Sequence, residues 1–271
     1  MARQSPECTR GIAASLSLLT MTVLMNKPKA KLIEIFSSIQ GEGPRVGERM
    51  SFVRFEGCDL KCRWCDTPES FREHTEFRVE KVPFSDEWED FPNPVMGKVL
   101  DQWLDHFSDP MVSLTGGEPL QQVGFLEEWL PSASSRHRFL LETNGVLPKA
   151  LEKVFPWITT VSMDLKLPSS AKTGIFWREH EEFLRLAVKS PECYVKIVVT
   201  ENTEEDDLNT AFELIQKIDE SIPVILQPAS ATRSFNAVPS MVRLGRIFEG
   251  SQRILKHVRV IPQTHKILGV S

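Results

Sequence analysis

Residues 51–65 of this 271-residue chain read Ser51-Phe52-Val53-Arg54-Phe55-Glu56-Gly57-Cys58-Asp59-Leu60-Lys61-Cys62-Arg63-Trp64-Cys65. The first six, rich in aromatic and β-branched residues, predict a strand. Gly57 then turns the chain into a short loop carrying three thiols within eight residues. Thiols this close do not make the spaced framework of a disulfide scaffold; they predict a metal centre in a reducing compartment. Three thiolates on one compact loop can hold three corners of an iron–sulfur cube. Fully protein-ligated 4Fe–4S centres use four cysteines, so a trio leaves one iron open to a small molecule. Catalytic metal sites keep such an open position and structural ones do not. Zinc is the competing reading: Cys8, Cys193 or His74 would complete a tetrahedron, but the chain has no second closely spaced cysteine pair.

Outward from this loop, short β-rich runs alternate with helical patterns. Strands are predicted at residues 31–37, 51–56, 111–115, 139–143, 159–164, 194–199, 223–227 and 257–261. The clearest helical spacing joins Val95, Met96, Val99, Leu100, Trp103, Leu104 and Phe107. Further helices are predicted over 120–130, 149–155, 176–190, 204–220 and 239–255. This alternation predicts an α/β fold with parallel strands, and six or seven βα units fit a complete or truncated TIM-like barrel. Residues 75–94 break the pattern, with six acidic residues against Arg78 and Lys81 and with Pro83, Pro92 and Pro94. An acidic insertion loop is expected there, in which Phe84, Trp88 and Phe91 offer a lid or a dimer contact.

One domain is expected over residues 26–271. Residues 11–25 are largely apolar and follow Arg3 and Arg10, which imitates a signal peptide. The stretch is short for a bilayer and no small-residue cleavage site follows it. With Met21 and Met25 as alternative starts, residues 1–25 are expected to be an extension outside the fold. The composition, 41% hydrophobic and 25% charged, is that of a globular chain. A net charge of −5, from 32 basic and 37 acidic residues, gives no global basic surface for nucleic acid or an anionic membrane.

A second motif lies about 50 residues beyond the cysteines. The strand at 111–115 runs into Gly116-Gly117-Glu118-Pro119. Two glycines without Cβ atoms let backbone approach a ligand closely, and Glu118 can accept from an ammonium. The cysteine spacing, with an aromatic residue before the last thiol, resembles the radical S-adenosylmethionine superfamily, and Gly116–Pro119 resembles that superfamily's glycine-glycine-glutamate-proline strand end. The resemblance implies a 4Fe–4S cluster on Cys58, Cys62 and Cys65. It also implies S-adenosyl-L-methionine bound to the fourth iron and cleaved to a 5′-deoxyadenosyl radical.

Four further features narrow the resemblance: Ser38-Ile39-Gln40-Gly41-Glu42-Gly43, then Phe52-Val53-Arg54-Phe55-Glu56-Gly57-Cys58, then Asp66-Thr67, and Gln263-Thr264-His265-Lys266 near the end. From about residue 31 onward the set resembles the 7-carboxy-7-deazaguanine synthase family. That resemblance implies a cytoplasmic carbon–nitrogen lyase on the route to queuosine and related deazapurines. It would convert 6-carboxy-5,6,7,8-tetrahydropterin to 7-carboxy-7-deazaguanine by a radical ring contraction that loses ammonia. Magnesium, a homodimer and a low-potential donor such as flavodoxin or ferredoxin come with it.

Residue by residue, the resemblance assigns substrate contacts to Ile39, Gln40, Gly41, Glu42, Arg54 and Thr115. Glu42 suits paired N–H donors, and the Arg54 fork suits a carboxylate; an ordinary surface turn and a strand-face salt bridge are the plainer alternatives. Thr67 is implied as a Mg²⁺ ligand, since that ion takes few protein ligands, against a helix N-cap ahead of Pro68. The adenosylmethionine pocket is implied around Trp64, Gly117, Ser162 and the turn Gln227-Pro228-Ala229-Ser230. The segment Ser162-Met163-Asp164-Leu165-Lys166 is longer between serine and lysine than the family's pattern, which leaves open which of Asp164 and Lys166 enters. Thr143-Asn144-Gly145 offers a ribose contact or a plain turn. His265 is the catalytic candidate, a proton shuttle with a pKa near neutrality, against a structural histidine. Two rival functions remain: a glycyl-radical-enzyme activase, which gives no role to Thr67 or the 40–43 turn, and a non-catalytic metal-binding module.

Overall fold

A computed structural model describes residues 27–270; the extension expected over residues 1–25, with Cys8, lies outside the described residues. The described chain builds one ten-stranded sheet: β1 (Leu32–Ile39), β2 (Arg49–Phe55), β3 (Glu76–Glu80), β4 (Trp88–Pro92), β5 (Val112–Gly116), β6 (Phe139–Thr143), β7 (Thr160–Asp164), β8 (Glu192–Val199), β9 (Val224–Pro228) and β10 (Val258–Val260). Their spatial order is β10-β9-β8-β7-β6-β5-β2-β1-β3-β4. All eight strands expected from the sequence are present. From β2 through β10 the pairing is parallel, as befits apolar runs covered on the outside by helices. Those helices are α1 (Gly97–Phe107), α2 (Val123–Ala133), α3 (Pro148–Val154), α4 (Pro168–Ala171), α5 (Trp177–Ala187), α6 (Glu205–Asp219), α7 (Met241–Ser251) and α8 (Thr264–Leu268). The short α4 and α8 lay outside the predicted helices.

Period-2 alternation divides each strand between two environments. Val161 and Met163 of β7, and Val195, Ile197 and Val199 of β8, enter the main core beneath the helices. Ser162, Asp164 and Lys196 face a cavity on the other side of the sheet. The sheet does not close, because β10 and β4 each pair along one side; the barrel is truncated rather than complete.

Two features correct the sequence reading. First, β1 pairs antiparallel to β2, so the sheet is not uniformly parallel. Second, residues 75–94 are not an irregular loop. β3 pairs parallel with β1, and β4 returns antiparallel to β3, extending the sheet. Phe77 and Val79 are buried on one face and Phe91 packs there with them. On the other face Arg78 donates to Glu34 at 2.7 Å and lies 4.1 Å over the Trp88 ring. The alternation outweighed the prolines, which fall at the ends and beyond the hydrogen-bonded run.

The antiparallel β1 decides how the cavity is assembled. The cysteine loop leaves the carboxyl end of β2. The connection from β1 to β2, residues 40–48, starts from the amino end of the sheet and folds across its inner face. The cavity lies between the two.

Candidate active site

The cysteine loop is fixed at its base by a backbone-to-backbone contact. A Cβ on Gly117 would lie 1.9 Å from the Gly57 carbonyl oxygen, so only glycine fits there, and Glu118 N donates to that oxygen at 2.7 Å. Gly116 adopts φ +117°, again a glycine conformation. The loop is then tied down from several sides. Arg63 N donates to Ala171 O at 2.9 Å, Trp64 Nε1 to Ser170 Oγ at 3.0 Å, and Asn144 Nδ2 to Asp59 Oδ1 at 2.7 Å. Glu118 itself is fully buried and accepts from Leu120 N, Thr143 Oγ1 and Asn144 N at 2.8–3.0 Å. Its carboxylate therefore splices β5 to β6 and is not left to receive a ligand ammonium; burial pushes its pKa up to about 7 against those bonds.

Cys58, Cys62 and Cys65 are free, half-buried thiols that all face the cavity. Burial pushes Cys58 up to about 12 and raises the other two as well. Thiolate there requires a cationic centre. Their sulfurs are not gathered within 4.8 Å of one another, whereas a single tetrahedral zinc with bonds of about 2.3 Å needs sulfurs about 4 Å apart. Neither of the described residues weighed as a fourth zinc ligand serves: His74 Nδ1 lies 3.1 Å from Glu56 Oε2, and neither it nor Cys193 faces the cavity. The donor set fits a cluster and does not fit zinc.

The cavity measures about 300 Å³, and every site residue expected from the sequence lines it except Pro228, Glu118 and Gly145. Pro228 ends β9, while its neighbours Gln227, Ala229 and Ser230 face inward. Both Asp164 and Lys166 enter, as an ion pair of 2.7 Å, with Lys166 Nζ 4.3 Å over the Trp64 ring. Ser162, Thr143 and Asn144 complete this side. Asp164 Oδ1 and Gln227 Oε1 are buried acceptors without a partner. Such atoms carry a desolvation cost until a donor arrives, and an amine and two ribose hydroxyls are donors of that kind.

Across the cavity, Gln40 is locked before any ligand binds: its Nε2 donates to Glu142 Oε1 at 3.2 Å and its Oε1 accepts from Glu42 N at 3.0 Å. Glu42 is not a free acceptor. It takes the Lys196 ammonium, Gln263 Nε2 at 2.7 Å and Gln227 Nε2 at 3.2 Å. Burial and the nearby Asp66 would raise its pKa, but Lys196 and the Gln263 hydrogen bond together hold it low. Asp66, bonded to Lys266 and Gln263 at 2.8 and 2.7 Å, is likewise held well below the carboxylate range despite burial. Arg54 does make the strand-face salt bridge, its Nε donating to Glu34 Oε1 at 2.7 Å, while the side chain still lines the cavity. Thr67 stands at the start of the 3₁₀ turn Pro68–Phe71 but makes no capping bond; its hydroxyl lies 3.4 Å from Asp66 Oδ1. His265, on α8, packs so closely on Gly41 that a Cβ there would lie 2.3 Å from Nδ1. Burial lowers its pKa, which favours neutral imidazole.

Two charged cavity residues escaped the sequence reading. Glu142 and Lys196 are single charges inside apolar strand runs, Leu140-Leu141-Glu142 and Val195-Lys196-Ile197. A charge on the inward face of such a run is the signal that would have found them.

Residues 52–215 match the Radical SAM superfamily family model. Among solved structures, QueE from Escherichia coli superposes with a TM-score of 0.53 over 86% of this chain and 93% of its own, at 19% identity. TYW1 with a lysine-pyruvate adduct bound gives 0.52 over 76% and 74%, at 11%; both share the fold. The open sheet and its three-cysteine loop thus define a radical SAM enzyme. A 7-carboxy-7-deazaguanine synthase from Geobacter sulfurreducens is 36% identical over 251 residues, spanning 90% of this chain and 99% of its own. The one from Methanothermobacter thermautotrophicus is 33% identical over 264 residues, spanning 89% and 98%. The chain belongs to the 7-carboxy-7-deazaguanine synthase family.

Proposed function

We propose that the chain converts 6-carboxy-5,6,7,8-tetrahydropterin to 7-carboxy-7-deazaguanine, releasing ammonia, in 7-deazapurine biosynthesis. Beside family membership, one observation carries this reading: a single cavity joins the cysteine trio to the polar 40–43 turn. When bound on Cys58, Cys62 and Cys65, a 4Fe–4S cluster with S-adenosylmethionine supplies the 5′-deoxyadenosyl radical that abstracts hydrogen. The chain's own residues bind, orient and exclude water. Asp164 Oδ1 and Gln227 Oε1 receive the donors of adenosylmethionine, and the Gly117 backbone, which lines the cavity, faces its methionyl end. Gln40, Glu42 and Thr115 hold the pterin edge. Arg54 offers its terminal guanidinium nitrogens to the substrate carboxylate. His265, neutral near pH 7, takes up a proton at a ring nitrogen as the ring contracts. Thr67, with Asp66 alongside, is proposed to hold Mg²⁺ through its hydroxyl.

The preordered polar turn inside the cavity favours a flat heterocycle over the glycyl loop of a partner protein. We further propose a homodimer, a flavodoxin- or ferredoxin-type electron donor and a cytoplasmic site of action; among the described residues no helix is long and apolar enough to cross a membrane. Anaerobically reconstituted protein given the carboxypterin, adenosylmethionine, magnesium and a reductant is expected to form the deazaguanine and 5′-deoxyadenosine. Absence of the deazaguanine from iron-loaded protein that still cleaves adenosylmethionine would remove the substrate assignment.

A further inference from the structure

The inward face of β8 carries Glu192, Tyr194 and Lys196 at alternate positions, and the 40–48 connection docks on them one residue after another. Arg45 Nε donates to Glu192 Oε2 at 3.0 Å, and Thr160 Oγ1 donates to the same oxygen at 2.9 Å. Gly43, at φ +70°, lies against the Tyr194 ring, where a Cβ would come within 2.7 Å. Glu42 sets its carboxylate on the Lys196 ammonium. Running upward from the amino end of the sheet, Arg45, Gly43 and Glu42 thus match Glu192, Tyr194 and Lys196. The strand acts as a rail that fixes how far the turn reaches into the cavity.

Lys196 terminates that rail and does one thing more. Its Nζ lies 3.5 Å from Asp164 Oδ2, the oxygen that also holds Lys166 at 2.7 Å. One buried ammonium therefore touches a carboxylate on the pterin side and a carboxylate on the adenosylmethionine side. Glu42 has other partners, Gln227 and Gln263, but both are neutral amides. Taking away the ammonium would leave Asp164 with Lys166 and Asp66 with Lys266, but Glu42 buried beside Asp66 with no cation of its own, and buried like charges move apart or take up protons.

We propose that Lys196 is a positioning residue for the substrate: it sets Glu42 at the depth where the pterin edge is read and locks it to Asp164 on the cofactor side. Glu42 touches the pterin and Lys196 acts through it, so the assignment rests on the proposed function. Loss of the ammonium should then affect pterin binding and alignment more than folding.

The test compares wild type with Lys196→Met, which keeps the length and removes the charge. Binding of 6-carboxypterin is followed by its fluorescence, beside iron content, melting temperature and steady-state KM and kcat for the tetrahydropterin. We expect Lys196→Met to retain its iron, to bind 6-carboxypterin at least tenfold more weakly, and to lose kcat as well as raise KM. Lys196→Ala should regain part of the lost binding with millimolar ethylammonium, whereas Lys196→Met, whose side chain fills the space, should not. Arg45→Gln, at the outer end of the rail, should raise KM a fewfold with kcat unchanged. Folded, iron-loaded Lys196→Met that binds 6-carboxypterin like wild type overturns the assignment. If Lys196→Met fails to fold, the assignment is overturned instead by Lys196→Ala without ethylammonium rescue together with an unchanged KM in Arg45→Gln. Wild type that binds no pterin overturns the proposed function instead.

Discussion

Replacing Gly117 by alanine should disable the enzyme, because the added Cβ would lie 1.9 Å from the Gly57 carbonyl oxygen. Non-bonded carbon and oxygen do not approach within 3.0 Å, so β5 and the base of the cysteine loop must part by about 1 Å. Parting breaks or stretches Glu118 N to Gly57 O, 2.7 Å, and Gly117 N to Phe55 O, 3.1 Å. Left unsatisfied in a buried place, these groups cost about 1–2 kcal/mol each, or roughly 2–4 kcal/mol together. For a chain of this size that corresponds to a fall in melting temperature of roughly 4–16 °C. Because Cys58 follows Gly57 directly, a displacement of about 1 Å there should also lower turnover by about 10²-fold even in molecules that stay folded. The assay is differential scanning fluorimetry of the protein before and after iron loading, with anaerobic turnover per iron. Gly245→Ala is the matched control: it lies inside α7 with no atom within 4 Å of an added Cβ, and alanine there should be neutral or stabilising by up to about 1 kcal/mol. A Gly117→Ala protein with wild-type melting temperature and wild-type turnover would refute the reasoning, since neither the clash nor the coupling to Cys58 would then exist.

Cys58→Ala, Cys62→Ala and Cys65→Ala should each lose most of the brown chromophore and iron after reconstitution, while Cys193→Ser keeps both; iron analysis decides. Thr67→Ala should leave the melting temperature within about 2 °C, because the hydroxyl caps nothing, while raising the magnesium concentration needed for half-maximal turnover; a magnesium titration reads this. Burial alone would raise the pKa of Glu34, but Arg54 and Arg78 outweigh it and hold the carboxylate below its usual range. A folded pKa below the unfolded one adds stability above about pH 4.5 that is lost as the pH falls through the folded value. Glu34→Gln, which leaves two guanidinium groups beside a neutral amide, should cost about 3 kcal/mol at pH 7. Urea titrations at pH 7 and pH 4 should show this gap narrowing in acid, and a gap that widens would contradict the ion-pair assignment.

Much of the molecule was legible because its chemistry is local. Buried parallel strands such as Phe139–Thr143 announce themselves as apolar runs, and three cysteines in one turn leave few alternatives. The hairpin of β3 and β4 was hidden because its signal, Phe77 and Val79 alternating with charges, is short and embedded among acids and prolines. The direction of β1 could not be read at all, since strand polarity is set by partners distant in sequence. Within the site, the identity of the cavity residues was readable but their occupancy was not. Glu42 and Arg54 looked like open acceptor and open donor, yet Lys196, 154 positions away from Glu42, and Glu34, 20 away from Arg54, already engage them. Asp164 and Lys166 looked like alternatives and proved to be a pair.

The two borders of the open sheet bear on how the protein behaves at high concentration. An unpaired strand is a template on which another chain can polymerise. β10 is only three residues long, and β4 reads Trp88-Glu89-Asp90-Phe91-Pro92, with two adjacent carboxylates and a residue that lacks an amide hydrogen. An incoming strand would meet repulsion at one border and too short a ladder at the other. A truncated barrel thereby gains the resistance to fibre formation that a complete barrel has by closure.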